Sequence, residues 1–92
     1  MRYQRVMWHH DFADEPVLLY SEIDENGRER RKVDEYRDGR LDMCDEFECT
    51  GTTRLSLTAM PTLEQIASQS EFTPESISKD EFESVWQRVR SQ

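Results

Sequence analysis

The sequence predicts an α+β domain: an antiparallel meander of four or five strands, followed by two C-terminal helices packed on one face. Three observations predict it. Short β-prone segments fill the first sixty residues and are punctuated by Asn26-Gly27, Asp38-Gly39 and Gly51. Two capping boxes, Thr62 with Gln65 and Ser78 with Glu81, announce helices after that point. The last of them is followed by Phe82, Val85, Trp86 and Val89, at the i, i+3, i+4, i+7 spacing of one helical face.

In chain order, residues 2 to 8 read as a strand in which Val6 and Trp8 share a face. Val17 to Ile23 is the most apolar run and is expected at the centre of the sheet. Asn26-Gly27 turns the chain into a second arm, Arg28 to Arg37, whose imperfect alternation calls for a bulge or a solvent-facing strand. Arg40 to Cys44 alternates Leu41 and Met43 inward, and Thr53 to Leu57 alternates Leu55 and Leu57, so strands are expected over about 2–59. Helices are expected over 62–69 and 79–90, with Ser70 to Ile77 as a linker pinned by Phe72 and Ile77. Trp86 and Val89 are expected to meet Val17, Leu19, Leu55 and Leu57, and Trp8 and Trp86 to serve the core.

With 92 residues, 35% apolar and 35% charged, the chain is one domain, 1–92, with a modest core. Its net charge of −8 excludes a general nucleic-acid binder, whose affinity rests on cations displacing counterions from phosphates. The excess is uneven: residues 1–40 carry 8 basic and 10 acidic side chains, residues 41–92 carry 4 and 10. A basic protein is the partner such a balance favours. No apolar run of membrane-spanning or leader type occurs, so no membrane association and a cytoplasmic location are expected. In that compartment Cys44 and Cys49 are expected to stay reduced.

His9-His10-Asp11 is the one histidine-bearing segment, but adjacent side chains on an extended chain point to opposite sides, which leaves a metal or general-base role short of convergent groups. Adding Cys44 and Cys49 to make a zinc set fails on the missing gap between the histidines. Either thiol as a nucleophile would lie among acids that raise its pKa. Arg28-Glu29-Arg30-Arg31-Lys32 is a basic block expected to pair with neighbouring acids or to protect an edge strand. The densest acidic cluster is Asp42, Asp45, Glu46 and Glu48; it does not fit a calcium-loop template and is the candidate partner-binding surface. No phosphate loop, catalytic triad or cofactor motif is present, and no cofactor is expected.

The opening strand ending in Trp8, His10-Asp11-Phe12, Asp14-Glu15-Pro16-Val17, Leu19-Tyr20-Ser21-Glu22, Arg31-Lys32-Val33, Arg37-Asp38-Gly39-Arg40 and Ile77 to Trp86 together resemble a family of small acidic bacterial proteins catalogued only as a domain of unknown function. The resemblance covers nearly the whole chain and implies a stand-alone bacterial cytosolic protein, with no catalytic residues to carry over. The charge pattern points to a protein-binding module, of the kind that neutralises a basic, nucleic-acid-directed toxin as an immunity protein does. A small metal-dependent or acid/base enzyme using His9, His10 and Asp11, or a regulatory subunit of a larger assembly, is the alternative.

Overall fold

A computed structural model describes residues 1–92. Strands β1 (Arg2–Trp8), β2 (Leu18–Ile23), β3 (Glu29–Glu35) and β4 (Leu41–Cys44) are followed by helix α1 (Leu63–Ala67), strand β5 (Phe72–Ile77) and helix α2 (Lys79–Arg90). All strand pairs are antiparallel, in the order β4-β3-β2-β1-β5. The meander of the first four strands and the central place of β2 agree with the sequence. Gly27, at φ 78°, closes the β2–β3 turn, where Asp24 Oδ1 accepts from the backbone of Asn26 and Arg28.

The fifth strand is not Thr53–Leu57. That segment has no strand partner, because the chain after β4 folds back on β4 through Thr50 N–H to Met43 O and then crosses over a face of the sheet. Its polar groups go to side chains instead: Thr53 donates to Asp34 Oδ2 at 2.7 Å, and Ser56 N–H donates to Glu29 Oε1 at 2.8 Å. Leu57 is left 91% exposed. The strand is the expected linker, Phe72–Ile77, which pairs with β1 along its whole length. Pro74 is compatible with this because β5 is an edge.

Register separates two unlike faces. Tyr3, Tyr20, Val33, Leu41, Met43 and Ile77 lie toward α2 and form the core with Phe82, Val85, Trp86 and Val89. Neither Val17, Leu19, Leu55 nor Leu57 belongs to that cluster, contrary to the expectation. The odd-numbered positions of β1 and the even-numbered positions of β2 face the helix, so Leu19 falls on the other side. The two helices likewise do not share a face. α2 contacts β1 to β4, whereas α1 lies against β5 with Ile66 beside Val6 and Leu19 on the opposite side. Both capping boxes form as their sequences require. No helix is long and apolar enough to cross a membrane.

The bulge expected in the second arm sits in β3: Glu22 pairs with Arg31 while Ile23 pairs with Glu29, so Arg30 is the extra residue. Arg31 thereby points to the α2 side. It makes a bidentate pair with Glu22 at 2.7 and 2.8 Å and another with Glu83 of α2 at 2.7 and 2.9 Å, over the rings of Phe82 and Trp86.

Candidate functional site

The residues singled out from sequence fall into two groups that the fold keeps apart. His9 and His10, at the end of β1, turn away from each other as an extended chain demands. His9 Nε2 meets Thr73 Oγ1 at 2.7 Å. His10 accepts from Phe12 N–H at Nδ1, 2.9 Å, so Nε2 carries the hydrogen and donates to Pro16 O at 2.8 Å. The ring also stacks on Phe12 and meets Trp8 at a tilt, with centroids at 5.3 and 4.2 Å. His10 thus braces the β1–β2 connection with both nitrogens committed, and Asp11 lies exposed beside it. No three or more His, Cys, Asp or Glu side chains converge as a metal would need.

The acidic group forms the hairpin that follows β4. Asp45 Oδ1 accepts from the N–H groups of Phe47 and Glu48 at 2.8 and 2.9 Å, which reverses the chain and sets Cys49 opposite Cys44. Their Cα atoms are 4.0 Å apart and the two residues are disulfide-bonded. This corrects the expectation of free thiols: reversal by the Asp45 carboxylate brings the sulfurs together irrespective of compartment. Asp42 accepts from Thr50 Oγ1 at 2.9 Å inside the hairpin, and Gly51 passes so close that a Cβ there would lie 2.5 Å from Asp42 Oδ2. Glu46 and Glu48 are exposed and pair with Arg30 at 3.3 Å and Arg90 at 2.8 Å. The four carboxylates therefore divide: Asp42 and Asp45 build the hairpin, Glu46 and Glu48 flank its tip. Between them Phe47 is 85% exposed.

A second feature was not singled out from the sequence. Five of the six buried polar residues, Gln4, Ser21, Glu29, Asp34 and Thr53, lie on or against the sheet face away from α2. Gln4, Ser21 and Glu29 border a cleft of about 240 Å³ between that face, α1 and the crossing segment, with Val6, Leu19, Ile66 and Phe72 as its apolar walls. Ser21 Oγ donates to Glu29 Oε2 at 2.6 Å and Ser56 N–H donates to Oε1, so each oxygen of Glu29 has a protein partner. Burial pushes the Asp34 carboxyl above its ordinary pKa, opposed by Lys32 and by the Thr53 hydrogen bond. Gln4, 2% exposed, has no hydrogen-bond partner for either side-chain atom. The phase of Gln4 with Val6 and Trp8 was the available signal: it marks a polar residue on a face that the alternation makes internal.

No curated protein and no solved structure matches the chain. Residues 2–91 match a family described as a domain of unknown function, DUF6881. With nearly every residue covered, from the first position of β1 to the end of α2, the chain belongs to the DUF6881 family.

Proposed function

We propose that this domain is a non-catalytic protein-binding module that docks the tip of its Cys44–Cys49 hairpin onto a basic partner, acting as an immunity-type inhibitor of a nucleic-acid-directed toxin. The observation that carries this reading is Phe47. A phenylalanine 85% exposed has nothing to contribute to this fold, whereas a rigidly held aromatic surrounded by charge is the usual form of an interface anchor. The hairpin is held by the Asp45 backbone bonds and the disulfide, so little ordering entropy remains to be lost on binding. Glu46 and Glu48 pair with exposed arginines, contacts worth about 0–1 kcal/mol that a partner's cations displace at little cost. The net charge of −8 adds long-range steering toward a basic protein.

Affinity capture from the native host at low salt, repeated at about 0.5 M where exposed charges are screened, tests the proposal. The expected result is a basic protein held by the wild type, released by salt and lost with Phe47→Ser, at unchanged melting temperature. Retention of the same partner by Phe47→Ser, or a partner indifferent to salt, overturns it. If the partner is a nuclease, its inhibition in a purified assay decides the toxin part of the proposal.

A further inference from the structure

We infer that the cleft opposite α2 is a binding site for a small planar organic anion with a lactam edge, as in a pyrimidine carboxylate. The floor carries it. Gln4 stands on a strand paired on both sides, opposite Ser21 of β2 and Ser76 of β5, so its backbone is fixed. Its amide is 2% exposed and unpartnered at both Oε1 and Nε2. Buried polar atoms are paired almost without exception, and an unpartnered amide in the floor of a cleft, by turning its side chain into that space, offers a donor and an acceptor side by side. A lactam edge is their complement. The neighbouring donors are already used, since the Ser21 hydroxyl and the Ser56 N–H donate to the two oxygens of Glu29 and the Ser56 hydroxyl donates to Thr58 O.

The remaining surface sets the rest of the ligand. Val6, Leu19, Ile66 and Phe72 give apolar walls, which suit a flat ring. Lys32 and Arg54 line the same cleft in more exposed positions. The Lys32 ammonium is 3.9 Å from Asp34, and Arg54 uses only Nη1, on the carbonyl oxygens of Gly51 and Thr53, so both cations retain donors for an anion. A volume of about 240 Å³ lies below the range of drug-sized sites and fits a single ring with its substituents.

Titration of the ¹⁵N-labelled protein with orotate, uracil and benzoate tests the inference by the amide shifts of Val6, Leu19, Ser21 and Ile66. Orotate has both the lactam edge and the carboxylate; uracil lacks the anion and benzoate lacks the edge. Saturable shifts are expected with orotate at millimolar concentration, with uracil and benzoate each at least about tenfold weaker. Gln4→Leu, which replaces two unpaired polar atoms by an apolar side chain of similar size, is expected to raise the melting temperature and to weaken orotate at least about tenfold. Lys32→Met with Arg54→Met is expected to erase the preference for orotate over uracil. Absence of saturable shifts with orotate, benzoate binding equal to orotate, or orotate binding indifferent to Gln4→Leu overturns the inference. So does a fall in melting temperature with Gln4→Leu, because that result assigns the amide to a structural water.

Discussion

Replacing Arg31 by methionine isolates the interaction that ties α2 to the sheet. The guanidinium bridges Glu22 on β2 and Glu83 on α2 and lies 4.9 and 5.0 Å from the ring centroids of Phe82 and Trp86. The Glu22 side chain is 10% exposed, so the substitution strands a carboxylate in a nearly dry site, which costs about 3–5 kcal/mol. Glu83, at 35%, is screened by water and adds no more than about 0.5 kcal/mol. Loss of the cation over the two rings adds about 1 kcal/mol, of which methionine recovers part by its own contact with them. The sum is about 4 kcal/mol, equivalent to about 15–30 °C in melting temperature for a domain of this size.

The pH dependence separates this account from simple loss of packing. Arg31 holds the carboxyls of Glu22 and Glu83 below the ordinary glutamate value, chiefly through its hydrogen bonds to them. A depressed carboxyl contributes stability that is fully present above the unfolded pKa, about 4.3, and lost as pH falls through the folded value. Thermal melts followed by circular dichroism should therefore show the wild-type advantage in full at neutral pH and reduced at about pH 3, below the unfolded value. The double substitution Arg31→Met with Glu22→Gln removes the stranded charge and should recover most of the loss. An Arg31→Met penalty of equal size at both pH values, or a double variant no more stable than the single one, would refute the reasoning.

Three further outcomes are expected. Asp34→Asn should gain stability relative to wild type as pH rises, because the Asp34 carboxyl is pushed up by burial: its ionisation burdens the folded state from the unfolded pKa upward, and melts in which the difference is flat with pH would contradict this. Trp86→Ala, deleting a ring from the core beneath α2, should cost about 3–5 kcal/mol, and an unchanged denaturant midpoint would exclude a core role for it. His10→Ala should leave the sheet intact but loosen residues 9–16, read as faster amide exchange at Phe12; retention of full protection there would show that the His10 bonds do not brace the connection.

What was legible in the sequence was local. The turn at Asn26-Gly27, both capping boxes and the stripe Phe82, Val85, Trp86, Val89 each follow from residues within a few positions of one another, and each is found as expected. The misplaced elements depend on contacts between distant residues. Leu55 and Leu57 alternate as a strand would, yet the edge they could have used is occupied by the chain folding back at Thr50, and Asp34 and Glu29 hold the segment by side chains instead. Phe72–Ile77 looks like a linker because of Pro74, although an edge strand beside β1 accepts proline freely. The acidic cluster was visible as composition, but that Asp45 spends its carboxylate on two backbone N–H groups, and leaves Phe47 outermost, is a matter of turn geometry.

The single extra residue at Arg30 joins these pieces. In a regular strand Glu29 and Arg31, two apart, would point to the same face. With the bulge, Glu29 turns toward the cleft, where it binds Ser21 and fastens Ser56, and Arg31 turns toward α2, where it binds Glu22 and Glu83. A basic block that composition would assign to solvent or to phosphate is thereby divided: Arg31 holds the helix on one face, Glu29 holds the covering segment on the other, and Arg30 reaches Glu46 beside the hairpin tip. Deleting Arg30 would restore the regular ladder and leave Glu29 opposite Ile23 and Arg31 opposite Glu22, on the faces they already occupy. The bulge thus accommodates Arg30 without disturbing either face, and its deletion is expected to keep the cleft and the core and to remove only the contact with Glu46.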